Sequence, residues 1–482
     1  MQQVSCPGCG APVQFKSAAS IMAVCEFCKT TLLKDAQSVK DLGKMSAVLE
    51  DYSPLQIGTS GQYDQRAFSL IGRIQLQYDD GFWNEWYALF DDGSSGWLAD
   101  ASGQFTFTVQ QNTDVQLPLF DKIVPGRSLG FDSHYFTASD VRTARCTAGQ
   151  GELPFRVGQG YVARVADFRS GDRFLTLDYS DSERARVYSG RSVELAALKP
   201  QLLRDTDQIS DAAGRFHGKV TPLNCPACGS TVQCVPGITV HILCPSCHAE
   251  VDTSGAVATI LAAGRAVERE TFTLALGTMA TIAGARYTIL GTMRRSDGES
   301  QWSEYLLYAP GRKFIWLVET SDGWWSAAVL DRWPATDAAG HAMLDNHRYD
   351  KDTEYDARVS FAAGSFNWRV KVGDVVHVTE FVSGSLRLAA ERSTQEMTWS
   401  RSSALSADQL HAWFGSDAPS HIQQTAVRGY RATAKRILIA LCCVNAIPML
   451  LGAGQAIAFT LLAAAAIWLP AYFLDRADGN TP

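Results

Sequence analysis

Cys6-Pro7-Gly8-Cys9-Gly10, followed by Cys25-Glu26-Phe27-Cys28, decides the architecture because the chain writes it twice. Cys225-Pro226-Ala227-Cys228-Gly229 and Cys244-Pro245-Ser246-Cys247 repeat it at a constant displacement of 219 positions. The same displacement carries Ile71-Gly72 onto Leu290-Gly291, Trp83 onto Trp302, Glu85 onto Glu304 and Trp97-Leu98 onto Trp316-Leu317. Two residues between cysteines let a tight turn aim both sulfurs at one ion, and a hairpin brings the second knuckle round to complete a tetrahedron. The glycine after the first knuckle suits the positive φ that such turns demand. Four thiolates fill zinc's coordination and leave no open position for water or substrate. Cys6, Cys9, Cys25 and Cys28, with Cys225, Cys228, Cys244 and Cys247, are therefore expected to hold two structural zinc ions. Metal would supply folding free energy that so small a segment cannot draw from its own core, on the order of 10–16 kcal/mol. Cys234 and His248 align with Phe15 and Lys29 of the first copy and are read as bystanders.

Downstream of each cysteine set, short alternating segments bounded by glycine read as strands. Leu55-Gln56-Ile57-Gly58-Thr59 matches Leu274-Ala275-Leu276-Gly277-Thr278, and Phe68–Gly72 matches Tyr287–Gly291. The displacement then shrinks as loops differ in length. Gly151 pairs with Gly364 at 213, as does Phe155-Arg156-Val157 with Trp368-Arg369-Val370. Gly158 pairs with Gly373 at 215 and Leu175 with Leu386 at 211. Ser192–Leu198 and Ser406–Trp413 lack glycine and proline and read as helical ends of the two copies. No βαβ alternation appears, which argues against a parallel nucleotide-binding sheet. The expected fold class is mainly β. It comprises two tandem copies of a zinc ribbon (4–34 and 223–253) plus a small antiparallel β body (50–203 and 269–415), the bodies rolled into partial barrels. A linker over 204–221 joins the copies.

The far end differs in kind. From Ile437 to Leu474 the chain has 38 positions without a charge. A bilayer-crossing helix needs about 20 apolar residues, so the run is expected to form a C-terminal transmembrane helical hairpin over 436–475, turning near Gly452–Gln455. Arg428, Arg431, Lys435 and Arg436 precede it and Arg476 follows, which points both ends to the cytosol. No apolar signal core precedes Cys6, and paired thiolate knuckles suit a reducing compartment. The expected location is the inner (cytoplasmic) membrane with the modules in the cytosol. With 43 basic against 50 acidic residues the formal net charge is −7, and nucleic-acid binding through the ribbons is disfavoured.

Two further constellations recur. Trp83-Asn84-Glu85-Trp86 matches Trp302-Ser303-Glu304-Tyr305. On a strand, Trp83 and Glu85 share one face while Trp86 takes the other. They are read either as an aromatic and acidic groove for a cation or as a core tryptophan ladder. Asp132-Ser133-His134 matches Asp345-Asn346-His347 at 213. A carboxylate near an imidazole suits acid–base work or metal binding, but no nucleophile motif recurs beside them and such pairs are common in plain turns. No phosphate loop or HExxH motif is present.

The Leu-x-[Ile/Leu]-Gly-Thr opening, the later Gly72 or Gly291, and the Trp-x-Glu-[Trp/Tyr] … Trp-Leu run make each body resemble a bacterial domain family of unknown function. That resemblance implies an accessory protein, sometimes carrying zinc ribbons and encoded near membrane-stress or polyamine-synthesis proteins. It brings no catalytic residue with it. The leading expectation is a membrane-tethered, cytosol-facing binding or scaffold protein with a protein partner. The rival is an enzyme, or an enzyme's regulatory subunit, that binds a small cationic substrate such as a polyamine.

Overall fold

The computed structural model describes residues 2–34, 39–44, 53–204, 221–262, 272–419 and 460–470, apart from short breaks (17–19, 21, 26, 29, 79–80, 102–103, 158–159, 235–240, 253–258, 310–313 and 338), and isolated positions between 434 and 445. Period-two strands rich in β-branched and aromatic residues pair with their sequence neighbours until the last meets the first. In the first copy the ribbon strands are β1 (Gln2–Ser5), β2 (Pro12–Phe15), β3 (Met22–Val24), β4 (Thr30–Lys34) and β5 (Val39–Lys44). The body follows with β6 (Ser60–Tyr63), β7 (Arg66–Tyr78), β8 (Gly81–Phe90), β9 (Ser95–Ala101), β10 (Gln104–Gln111), β11 (Ser128–Phe131), β12 (His134–Leu153), β13 (Tyr161–Ser170), β14 (Arg173–Asp178) and β15 (Arg186–Val193). Hydrogen bonding runs β7-β8-β9-β10-β15-β14-β13-β12 and returns from β12 to β7. Eight antiparallel strands thus form a closed barrel rather than the partial one expected.

The second copy repeats this. Its ribbon strands are β16 (Thr221–Asn224), β17 (Thr231–Cys234), β18 (His241–Leu243), β19 (Glu250–Asp252) and β20 (Thr259–Ala262). Its body comprises β21 (Met279–Ile282), β22 (Ala285–Ser296), β23 (Gln301–Tyr308), β24 (Ile315–Thr320), β25 (Gly323–Val329), β26 (Ala335–Thr336), β27 (Ala342–Leu344), β28 (His347–Phe366), β29 (Val375–Ser383), β30 (Leu386–Arg392) and β31 (Met397–Leu405). The ring is β22-β23-β24-β25-β31-β30-β29-β28, closed by β28 on β22.

Glycine makes the closure. Gly72 sits opposite Gly151, and Gly291 opposite Gly364. A Cβ on Gly72 would lie 1.8 Å from the Glu152 carbonyl oxygen, and Gly151 and Gly364 hold φ of +70° and +94°. At the same point the ribbon joins, because Gly151 also pairs Val24 of β3 and Gly364 pairs Leu243 of β18. One long strand in each copy therefore belongs to barrel and ribbon together. The ribbon is knit into the barrel wall, not strung beside it.

Outside each ring, loops and the small strands cover apolar faces. In the first copy Leu55, Tyr63 and Leu198 cover Trp86, Phe90 and Phe107, while Phe120 and Ile123 cover Phe168 and Leu175. The two barrels touch. Val141 N–H donates to Gln395 O at 2.8 Å, Trp333 N–H to Gly171 O at 3.0 Å, and Arg169 Nη1 to Asp331 O at 3.1 Å. Arg142 joins its own Asp140 to Glu396 of the second copy.

Several expectations need correction. Ser192–Leu198 is not an α-helix: β15 runs to Val193 and a single 3-10 turn, Leu195–Leu198, ends at Lys199 in the left-handed region. Ser406–Trp413 does form helix α1 (Ala407–Phe414), because Ser406 and Gln409 make a reciprocal capping box. The hairpins after β13 and β29 share one register, which pairs Leu175 with Leu388 rather than Leu386 and keeps the displacement at 213. Gly160 shares φ of +102° with Gly373, while Gly158 lies outside the described residues. Most of the expected transmembrane hairpin over 436–475, and of the linker over 204–221, also lies outside them. The described positions of the hairpin, 437, 438, 441, 442, 445 and 460–470, are helical. Among the described residues no helix is long and apolar enough to cross a membrane.

Candidate functional site

Each cysteine knuckle sits at the tip of a strand pair, between β1 and β2 or β3 and β4, and likewise in the second ribbon. Gly10 and Gly229 both hold φ of +76° and donate N–H to Cys6 O and Cys225 O, as their place after the knuckle predicts. His248 takes the corresponding left-handed position after the second knuckle (φ +56°), and its ring meets Phe361 edge-on at 5.6 Å. That accounts for it without metal. Cys6 Sγ lies 3.5 Å from Cys28 Sγ, and Cys9 Sγ 3.7 Å from Cys25 Sγ. The second set measures 3.8 and 3.7 Å. Sulfurs at the corners of a tetrahedron around zinc, with bonds of about 2.3 Å, stand about 3.8 Å apart. All eight thiols are free, and each set lies within 4.8 Å throughout. The two four-cysteine clusters are compatible with two zinc ions. In each set one outer thiol is already acidic: hydrogen bonding by the Thr30 side chain and backbone brings Cys28 down to about 6, and Ser230 does the same for Cys228.

The second candidate lies inside the barrels. In the eight-stranded ring, β23 and β30 stand diametrically apart, so residues that meet from both must point inward. Arg295 on β22 meets them: its Nη1 reaches Glu304 Oε1 at 3.0 Å and Glu391 Oε1 at 3.1 Å. Trp302 Nε1 donates to Glu304 at 2.7 Å, and Tyr355 OH donates to Glu380 at 2.8 Å. The interior of the second barrel is a cross-braced ionic network, with Arg295 only 6 % exposed.

Strand register maps this set onto the first barrel. Glu304 corresponds to Glu85, Glu380 to Asp167 and Glu391 to Asp178. Trp83 Nε1 donates to Glu85 at 3.0 Å, as Trp302 does to Glu304. Arg295, however, corresponds to Leu76. Burial raises Glu85 to about 7 against the opposing Trp83 hydrogen bond, and Asp178 and Asp167 push it further the same way. Asp167, which accepts from Thr176 Oγ1 at 2.6 Å, rises to about 6, chiefly through burial. Tyr161 and Tyr188 border these carboxylates, and burial raises Tyr188 to about 12.

The sequence-predicted residues thus separate into three groups. Trp83 with Glu85, and Trp302 with Glu304, face the barrel interior. Trp86 and Tyr305 do not join them: both are buried in the outer apolar layer, Tyr305 stacked on Trp324 at 5.6 Å and donating to Glu319 at 2.6 Å. Asp132 and Asp345 occupy two-residue hairpin turns with Ser133 and Asn346, all four at positive φ as such turns require. His134 and His347 fold back onto the carbonyl oxygens of Asp132 and Asp345, at 2.6 and 3.0 Å. These motifs are turn chemistry, far from the interior carboxylates. Sequence reasoning missed Asp167, Asp178, Glu380 and Glu391. Their recurrence at 213 was the available signal, hidden by exchanges of Asp for Glu.

The family described as domain of unknown function (DUF4178) matches residues 56–195 and again 275–407, together more than half of the chain. The two matches coincide with the two barrels. No curated protein and no solved structure matches.

Proposed function

Because the chain belongs to the DUF4178 family, whose domain it carries twice, we propose that it is a membrane-tethered binding scaffold with zinc-stapled heads. Zinc in the two four-cysteine clusters locks each ribbon as a structural element, which the near-tetrahedral sulfur spacing supports. The carrying observation for the tether is the helix at 460–470, where Leu461, Leu462, Trp468 and Leu469 are all exposed. An apolar row of this kind marks a surface meant to be covered by lipid or protein. The run from Ile437 to Leu474 carries no charge in sequence, and its basic flanks favour cytosolic heads at the inner membrane. Tethering raises the local concentration of both barrels near membrane partners, and two heads allow bivalent engagement.

Two measurements test this reading. Fractionation should find the full chain with membranes and a chain ended after Asp417 in the soluble fraction. Metal analysis of the purified protein should find two zinc equivalents. Recovery of the full chain in the soluble fraction would remove the tether, and a content near zero would remove the staples. Cross-linking from membranes should capture a specific protein with the full chain and lose it with the shortened one.

A further inference from the structure

We propose that a groove on the outer face of the first barrel binds a small soluble phosphate monoester, an anion for which the second barrel has no matching site. The groove has a volume of about 300 Å³ and runs across β10, β15 and β14, between the two layers that cover the ring. Tyr63, Asp64 and Arg66 of the β6–β7 hairpin form one wall. Phe131, Asp132 and His134 of the β11–β12 hairpin form the other.

The floor carries the telling feature. Arg173 and Arg191 lie directly opposite each other on β14 and β15. Arg191 also faces Phe107 of β10, which belongs to the outer apolar layer, so both arginines leave the barrel on its outside. Like charges directly opposite on neighbouring strands destabilise a sheet. Among the described residues no salt bridge reaches Arg173, and Arg191 reaches only Asp64, at 4.0 Å. Arg66 borders the groove but is engaged, by Asp92 at 3.5 Å and Ser94 Oγ at 3.2 Å. An anion seated between Arg173 and Arg191 removes their repulsion.

The second barrel shows the same positions without such a site. By strand register Arg173, Arg191 and Arg66 correspond to Leu386, Ser403 and Ala285. Leu386 packs into the apolar cover. Ser189 of the first floor corresponds to Arg401, which pairs at 3.6 Å with Asp345, the counterpart of Asp132. The second copy thus spans its groove with an ion pair of its own. The first copy has a serine there and two arginines beside it.

The ligand class follows from the donors. Each guanidinium presents a planar fork of N–H groups. A phosphate monoester has three acceptor oxygens and can take a fork on each of two sides, whereas a carboxylate has two coplanar oxygens and suits one. His134 commits Nδ1 to the Asp132 carbonyl oxygen at 2.6 Å, so Nε2 is its remaining ring nitrogen. Burial pushes Tyr63 up to about 12, so its hydroxyl stays a donor. Phe131, Phe136 and Phe174 give an apolar lining for the ester's organic group. Asp64 and Asp132 bring the local charge back towards balance. That leaves room for one small dianion and repels a polyanion such as nucleic acid.

The test is calorimetric titration of the intact, zinc-loaded chain with phenyl phosphate in phosphate-free buffer, against benzoate at matched ionic strength. Phenyl phosphate should saturate at one equivalent with a dissociation constant of about 1 mM or tighter, and benzoate should bind at least about tenfold more weakly. Arg173→Leu and Arg191→Ser, which give the first barrel the residues of the second, should each weaken phenyl phosphate about tenfold. Each removes one of two opposed like charges, so neither should lower the thermal midpoint of the unliganded protein. If either fails to fold, Arg173→Lys, which keeps the charge and loses the fork, reads the same contact. Arg145→Leu, at an exposed arginine outside the groove, should bind as the parent does. No saturable heat up to about 20 mM, benzoate binding as tight as phenyl phosphate, or an equal loss in Arg145→Leu would each overturn the site. Neither zinc content nor membrane fractionation enters this readout, so its failure leaves the scaffold reading standing.

Discussion

Arg295→Leu gives the second barrel the residue that Leu76 supplies at the same position in the first, and its cost can be worked out by comparison with the first. The guanidinium makes contacts at 3.0 Å to Glu304 and at 3.1 and 3.2 Å to Glu391, with Arg295 buried. Removing one partner of such a buried pair costs about 3–5 kcal/mol when the orphaned carboxylates stay charged. They need not stay charged. Glu85, the counterpart beside Leu76, lies at about 7. With the cation removed, enclosed acids left without a partner hold a proton in the folded state from pH 5 to pH 7, as Glu85 does, that the unfolded chain has released. Stability relative to the parent then falls as pH rises through that window, by about 1.4 kcal/mol per unit. The added loss is about 3 kcal/mol between pH 5 and pH 8. Hydrogen exchange read on peptides from β22 and β23 isolates the second barrel within the intact chain. A loss equal at both pH values, or below about 1 kcal/mol at pH 8, would refute the picture of a cation neutralising enclosed acids.

Other perturbations follow from the same geometry. Gly72→Ala drives a methyl to 1.8 Å from the Glu152 carbonyl and should cost more than about 3 kcal/mol by thermal unfolding. Gly10→Ala, at φ +76° with nothing within 4 Å, should cost only about 1–2 kcal/mol. Glu85→Gln mimics the protonated acid and should flatten the decline in first-barrel stability between pH 4.5 and 7, a decline of at most about 3 kcal/mol. Cys9→Ser should lower bound zinc from two equivalents to one, with exchange protection lost at the β3–β12 junction and retained at β18–β28.

Local chemistry was the legible part of this chain. Cysteine spacing located both four-cysteine clusters, and Gly10 and Gly229 took the backbone conformation that their position required. The Trp-x-Glu pattern correctly set Trp83 and Glu85 on one face, opposite Trp86. Barrel closure was not legible, because the pairing of Gly72 with Gly151 joins residues far apart in the chain and neither glycine announces its partner. The interior acids were hidden for a related reason. Asp167 and Asp178 alternate with ordinary strand residues, and only the ring brings them to Glu85. Ser192–Leu198 had a helical composition, yet β15 continues into it and leaves too few residues for more than one turn.

The shared strands β12 and β28 explain why the repeat unit is so long. Each is hydrogen-bonded to a barrel strand along one edge and to a ribbon strand at its far end. A gene segment encoding the cysteine hairpins alone would leave a raw edge with no wall to lean on, and one encoding the ring alone would expose the same edge from the other side. The ancestral duplication could only have carried both pieces at once, and grafts between relatives should succeed when cut before β1 or after β15 and fail when cut between.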